Sequence, residues 1–329
     1  MNNTIYPSWV PAEAYGIANP NNQTVLFHIG STPFYLYSLM ILLGFLCSIL
    51  TVFYFWHREK FKIDTLMTLI IITVPTAILG ARLGYVIEAL LYDPSFSIGD
   101  WYKIWQGGLS IQGGVTLAAI CDLIYLYTQR NVIDIRKAAS LVIPAILIGQ
   151  VIGRWGNFGN HELYGKIDWS GKSSLVFGHG FASHMFISDN YSQALGLNGA
   201  YRYPLFLYEG IANFVGYLTI VWIINFLWLL KPGASAGLYF IWYGTVRLSM
   251  EPLRQDSFNL YIYASLAFII FGLLIFSYFQ FFSRVKYQLV KQNKRRTYVY
   301  ANPEQYANNV NVSSFGYLYK KLIITNLKK

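Results

Sequence analysis

The stretch IGSTPFYLYSLMILLGFLCSILTVFYFW, residues 29–56, contains no charged residue. A membrane-spanning helix needs about 20 mostly apolar residues, because lipid offers backbone groups no hydrogen-bond partner across a core roughly 30 Å thick. The run meets that length and is too long for the apolar core of a secretory leader, so it reads as a retained spanning helix. Six more runs come after it. Residues 65–92 are interrupted by Arg82 and Glu88, residues 108–128 contain Asp122, and residues 138–153 are short, as if that helix end dips into a polar site. The last three are 204–230 with Glu209 near its start, 234–250 with Arg247 near its end, and 259–283. The fold expected is an all-α integral membrane protein of seven transmembrane helices. It comprises a membrane domain over residues 1–283 and a basic tail over 284–329. An extracytoplasmic cap is expected over about 154–203, where Gly, Ser and Asn suggest an irregular loop with short helices.

Composition agrees. Hydrophobic residues make up 55% and charged residues 12% of the 329, about half the charged fraction of an ordinary soluble domain at ~25%, which excludes a soluble enzyme and a disordered chain. The only two cysteines, Cys47 and Cys121, lie inside apolar runs and cannot staple a disulfide scaffold. Aromatic content of 18%, with nine Trp, suits membrane interfaces. The net charge of +10 is concentrated: from Arg284 onward there are ten Lys or Arg against Glu304 alone. A basic tail on an apolar body points to anionic lipid rather than nucleic acid. With the amino terminus outside and the carboxyl terminus in the cytoplasm, seventeen cations fall inside and six outside. The tail itself reads as polar and partly disordered up to an apolar patch at 322–325.

Ionisable residues at membrane depth cost about 2.5–3.5 kcal/mol on insertion scales and are paired or functional. Arg82 and Glu88 are six apart, on different helix faces, so each needs a partner on another helix. Asp122 reads as a structural polar contact. Tyr243, Arg247 and Glu251 recur at i, i+4, i+8 in one stripe, with Arg254 one turn beyond and Pro252 breaking the helix beside it. The segment GRWGNFGNHELYG, residues 153–165, packs Arg154, Asn157, Asn160, His161 and Glu162 between four glycines. It reads as a Gly-rich turn whose amides approach an anion, with Arg154 able to grip a phosphate bidentately. At a membrane surface, a phosphate means a lipid headgroup. In WQGGLSIQGG, residues 105–114, two Gly pairs open the third helix and bracket Gln112, which suggests close approach of helices or lipid.

Assembled, these pieces resemble the phosphatidylglycerol:prolipoprotein diacylglyceryl transferase family. Residues 153–165 match its signature at every fixed position except Gly159, which stands in an aliphatic place. IGSTPFYLYSLM, GARLGYV, WQGGLSIQGG, PLFLYE and YGTVRLSMEPLR match in order. The resemblance implies a membrane enzyme of the bacterial cytoplasmic membrane. It would move the diacylglyceryl group of phosphatidylglycerol onto the lipobox cysteine thiol of a prolipoprotein, releasing glycerol 1-phosphate, with no metal or nucleotide. It assigns headgroup binding to Arg154 and Asn157, with Asn160, Glu162, Gly165 and Arg82 in support. Tyr37, Tyr243, Arg247 and Glu251 would line the reacting centre. Arg154 and Arg247 are the natural anion clamps, with Arg82 a third. Two positions depart from the family: Gln112 and Tyr203 stand where it commonly has histidine. An amide can position a group but cannot take a thiol proton, so Gln112 leaves the general base open: Glu251 is the first alternative and His161 the second, or arginine fields lower the thiol pKa enough. A transporter or lipid-binding protein using the same arginines is the rival reading; a scaffold recruiting partners through its tail is a weaker one.

Overall fold

The computed structural model describes residues 16–17, 24–30, 32–93, 96–103, 108–255, 259–292 and 295–314. It is mostly helical. Helices α1 (Leu36–Arg58), α2 (Ile63–Tyr92), α3 (Ile111–Thr128), α4 (Ile135–Gly159), α8 (Leu205–Tyr217, continued by a π-helical stretch Leu218–Asn225) and α10 (Asn259–Ser277, continued by Tyr278–Phe282) form six segments long and apolar enough to cross a membrane. Helix α9 (Ala234–Met250) has 17 residues, about 26 Å at 1.5 Å per residue. Long stretches of these helices expose Leu, Ile and Phe, such as Leu50, Ile71 and Leu274 at 65–70%, as lipid-facing surfaces do.

Three boundaries differ from the apolar runs. The first helix starts at Leu36 because residues before it form a hairpin, β2 (Val25–Ile29) with β3 (Thr32–Tyr35), turning at Gly30 with φ +61°. Helix α4 continues into the glycine-rich signature as far as Gly159. The described residues of the tail carry regular structure: β6 (Tyr287–Gln292) and β7 (Arg295–Tyr300) pair, and α11 (Pro303–Val312) comes next. The patch at 322–325 lies outside the described residues.

The chain divides into two compact units. One draws on residues 1–52, 139–283 and 291–296. In it α9 and α10 pack backbone to backbone: a Cβ on Gly237 would stand 2.7 Å from the Gly272 carbonyl, and one on Gly244 would stand 2.7 Å from that of Ser265. Small residues at such crossings let helices approach without an apolar driving force between them. Buried polar groups close the rest of this unit. Asn225 donates to the Ser140 carbonyl at 2.6 Å, the Gly233 amide to Ser140 Oγ at 2.7 Å, and Thr51 shares a hydrogen bond with Tyr217 at 2.8 Å. The segment between α4 and α8 carries the short helices α5 (Lys172–Leu175), α6 (His179–His184) and α7 (Asn190–Ala194). Its strands β4 (Phe186–Ser188) and β5 (Ala200–Tyr201) pair antiparallel, and β1 (Gly16–Ile17) joins β4 in parallel. Arg202 is fully buried there, bonded to Asp189 at 2.5 Å and Gln255 at 3.0 Å.

The other unit comprises residues 53–138, 284–290 and 297–329. Helices α2 and α3 meet at Gly80, Gly84 and Gly113, where a Cβ on Gly84 would lie 2.9 Å from Gly113 Cα. Asp122 accepts from the Thr73 hydroxyl at 2.9 Å, which agrees with its reading as a structural contact. Tail residues are tied down here: Tyr287 donates to Asp134 at 2.7 Å, and Thr297 and Lys137 each reach Glu59 at 2.9 Å. Tyr300 stacks on Tyr306 with centroids 4.0 Å apart.

Two expectations for stability result. Gly237→Val should cost at least the roughly 1–3 kcal/mol typical of overpacking, read as a lower unfolding temperature of the detergent-solubilised protein. In the α4–α8 segment, Asp168 is 3% exposed. Burial pushes its carboxyl up, but hydrogen bonds from Ser173 and Ser170 outweigh this and hold it below the ordinary carboxylate value. That stability is fully present above the ordinary value and is lost as the pH falls through the lowered one. Asp168→Asn should therefore flatten the acid-side loss of order, monitored by fluorescence of the neighbouring Trp169.

Candidate active site

The signature is helical through Gly159, and the amides just beyond it turn back onto the helix. Residues up to Gly159 belong to α4, and the next amides turn back: Asn160 N–H to the Gly156 carbonyl at 3.1 Å, His161 N–H to Phe158 at 3.1 Å, and Glu162 N–H to Asn157 at 2.9 Å. The last two bonds, with His161 at φ +54°, make a Schellman closure in which a non-glycine residue occupies the left-handed position. The glycines of the helix serve close packing instead: a Cβ on Gly156 would stand 2.9 Å from the Tyr37 ring. The expected Gly-rich anion loop is thus replaced by a capped helix end that presents side chains.

Those side chains converge. Glu209, on the first turns of α8 and 2% exposed, accepts from Arg154 of α4 at 2.5 Å and from Arg254 at 3.3 Å. Arg254 lies 3.9 Å from Glu251, and Glu251 takes Arg247 at 3.0 Å. Pro252 helps end α9, and the 3₁₀ turn Glu251–Leu253 swings Arg254 toward α8. The result is an alternating chain Arg154–Glu209–Arg254–Glu251–Arg247, with three guanidiniums to two carboxylates. Arg247 also lies over the Tyr261 ring at 5.1 Å. Burial and the neighbouring Arg247 hold Arg254 below the usual arginine range, against the pull of Glu209 and Glu251.

Around this chain, Arg154 reaches Asn157 Oδ1 at 3.4 Å, and Glu162 accepts from Asn160 at 3.3 Å and from Asn157 at 3.5 Å. Tyr37 lies within the fields of Glu162 and Arg154. Tyr243 stacks on Tyr239 at 6.2 Å and meets Phe268 edge-on at 5.3 Å. Polar atoms buried here without a hydrogen-bond partner among the described residues include two donors, Arg154 Nε and Arg254 Nε, and an acceptor, Asn160 Oδ1. Native structures pair nearly all such atoms, so each marks a place for a ligand group or water. Beside Arg154, residues Val151, Trp155, Phe206, Gly210, Ile211 and Phe214 help line an apolar groove of about 200 Å³ between α4 and α8.

Other expected residues have different surroundings. Gly165 donates its amide to the Tyr203 carbonyl at 2.8 Å and bridges Arg254, so it sets backbone placement; a Cβ there would strike the Leu253 carbonyl at 2.5 Å. Arg82 is 3% exposed and directs its donors to the carbonyls of Asp100 (2.6 Å), Trp101 (2.7 Å) and Gly108 (3.0 Å). It pins a loop, where an anion clamp or a partner on another helix was expected. Gln112 and Glu88 both contact Ser110, whose hydroxyl lies 2.8 Å from Glu88 and 3.2 Å from Gln112. Positions 105–107 of that motif lie outside the described residues. Reading the sequence passed over Ser110 and gave Arg202 no role; neither belongs to a periodic stripe or a charge cluster.

A family model described as prolipoprotein diacylglyceryl transferase matches residues 24–278. The chain belongs to this family. The phosphatidylglycerol–prolipoprotein diacylglyceryl transferase of Mycoplasmopsis pulmonis is 48% identical over 285 residues, which is 86% of this chain and 82% of the relative. The enzyme of the same name from a Streptococcus pneumoniae strain is 33% identical over 264 residues, covering 78% and 94%. That from Streptococcus suis is 33% identical over 237 residues, covering 72% and 83%. For the transferase, removing the doubly bridging carboxylate by Glu209→Ala should destabilise by about 3–5 kcal/mol, because two arginines lose their shared counter-ion. A thermal melt in detergent checks this.

Proposed function

We propose that the chain transfers the diacylglyceryl group of phosphatidylglycerol to the lipobox cysteine thiol of prolipoproteins, as a seven-span enzyme of the bacterial cytoplasmic membrane. Helix α9 is then the seventh span, residues 1–283 the membrane domain, and the segment between α4 and α8 an extracytoplasmic cap. The amino terminus lies outside, and the tail over 284–329 lies in the cytoplasm. In the reaction the thiolate sulfur bonds to the glycerol carbon that carries the phosphate, the carbon–oxygen bond breaks, and glycerol 1-phosphate departs with the electron pair.

The observation that carries this reading is the alternating ion-pair chain with its surplus guanidinium. A phosphodiester monoanion supplies the missing negative charge, and the leaving phosphate gains charge as the bond breaks, so Arg154 and Arg247 stabilise the transition state more than the substrate. The orphan Nε of Arg154 matches a phosphate oxygen, and the orphan Oδ1 of Asn160 matches a glycerol hydroxyl. Asn157 and Glu162 fix these two side chains. Tyr37, Tyr243 and Glu251 line the reacting centre, and the apolar groove beside Arg154 receives acyl chain.

Purified protein should transfer labelled diacylglycerol from phosphatidylglycerol to a lipobox peptide, and a Cys→Ser peptide should accept none. Arg154→Ala and Arg247→Ala should each lower kcat by about 10²–10³, the cost of losing one oriented charge stabiliser. Normal transfer by both variants would remove the clamp from the mechanism.

A further inference from the structure

One helical turn deeper than the ion-pair chain, the same three helices carry a second, uncharged polar layer. Gln150 precedes Arg154 by four residues on α4, Asn213 follows Glu209 by four on α8, and Tyr243 and Tyr239 precede Arg247 by four and eight on α9. Residues four apart share a helix face about 6 Å apart along the axis. Helices α4 and α9 reach the ion-pair chain near their ends and α8 near its start, so all three steps lead the same way, into the apolar span. Contacts join the layer. Gln150 Nε2 lies 3.2 Å from the Tyr239 hydroxyl, and the Tyr239 ring stacks on that of Tyr243. Glu209, Asn213 and Gly216 are buried along one stripe of α8. A Cβ on Gly216 would strike the Trp242 indole of α9, and one on Gly210 would stand 3.9 Å from Arg154 Cβ of α4.

Two amide oxygens in this layer are buried without a hydrogen-bond partner among the described residues: Gln150 Oε1 and Asn213 Oδ1. Asn213 is 1% exposed. Such an atom is costly unless a ligand group or water meets it. The oxygen and nitrogen ends of a carboxamide are nearly alike in shape and exchange by a half-turn. With Gln150 so turned, the Tyr239 hydroxyl donates to Oε1, and Nε2 presents its N–H groups where the unpaired oxygen stood. That place then calls for an acceptor.

A diacylglyceryl group brings acceptors to this depth. Its ester carbonyls accept hydrogen bonds and donate none, and one hangs from the glycerol carbon adjoining the carbon that bears the phosphate. A phosphate held at Arg154 sets that carbonyl about one turn inward, and the apolar groove lined in part by Val151, Gly210 and Phe214 flanks the same turn. Resting on the transferase reading, we infer that Gln150, oriented by Tyr239, binds an ester carbonyl of the diacylglyceryl group, with Asn213 lining this subsite from α8. The subsite selects ester-linked over ether-linked phosphatidylglycerol, because an ether lacks the carbonyl and leaves the buried amides unpaired. The carbon–oxygen bond that breaks is the same in both lipids.

The test lets equal amounts of diacyl and dialkyl phosphatidylglycerol, in mixed micelles, compete for the full-length enzyme and one lipobox peptide, with the two products resolved by mass. Their ratio is the ratio of kcat/KM for the two lipids. Wild-type protein should favour the diacyl lipid by about tenfold, the worth of one hydrogen bond in a dry site. Gln150→Leu should bring the ratio below about threefold, and Tyr239→Phe, which deletes only the orienting hydroxyl, should lower it by less. A layer that merely supports packing lowers both products together and keeps the ratio. If Gln150→Leu does not fold, Tyr239→Phe and Asn213→Ser carry the same measurement. A wild-type ratio near one, as for a layer filled by water, or variants that keep the wild-type ratio, overturn the subsite. Product from neither lipid with wild-type protein overturns the transferase reading, and this inference with it.

Discussion

A guanidinium sunk among apolar helices must meet a counter-charge or a row of carbonyls, and Glu209 is where this chain meets that demand twice. Its carboxylate is almost wholly buried and takes Arg154 from one helix and Arg254 from beyond the end of another. Removing water from these groups costs several kcal/mol per ion, recovered only when the partners are close and well oriented. The bridge therefore constrains more than two side chains. It fixes where α4 ends relative to α8, and through the 3₁₀ turn at Glu251–Leu253 it fixes the end of α9. Gly165 and Lys166 add to this by pairing their backbone with Tyr203, Leu253 and Arg254, which draws the segment after α4 against the same turn.

Much of this was legible in the residues. Spacing alone put Tyr243, Arg247 and Glu251 on one stripe, and Arg247 does bind Glu251 at 3.0 Å. The apolar runs marked every long helix, because the requirement for internally satisfied backbone leaves a chain in lipid few alternatives. What the runs could not mark was where helix gives way to other structure. Residues 32–35 are as apolar as the start of α1, yet they pair as a strand with residues 25–29. The glycines of the signature resembled a loop because glycine permits turns as readily as it permits close packing. In the structure the turn falls at His161, which has a side chain, and the glycines before it lie inside a helix.

The order in the tail is hidden from composition for a related reason. Its polar residues and surplus of Lys and Arg fit a solvated segment, but alternate tyrosines supply what the average conceals. Tyr287 and Tyr300 stack within 5.5 Å, Tyr300 and Tyr306 within 4.0 Å, and the inward hydroxyls of Tyr287 and Thr297 find Asp134 and Glu59. Average polarity does not record these individual contacts.

The two ways of holding arginine separate its structural and chemical uses here. Arg82 is bound by three loop carbonyls, neutral acceptors that gain nothing if an anion replaces them and would be left unpaired if it did. Arg154, Arg254 and Arg247 are bound by carboxylates that are themselves anions, and there are fewer carboxylates than guanidiniums. In the proposed reaction a phosphate monoanion entering beside them would balance the surplus guanidinium without stripping any donor from its existing partner. On that proposal, the negative charge added as the carbon–oxygen bond opens would fall against cations already oriented by Glu209 and Glu251, so little reorganisation would be needed at that moment. The same buried carboxylates that make the arginines tolerable among apolar helices would thus aim them at the proposed leaving group.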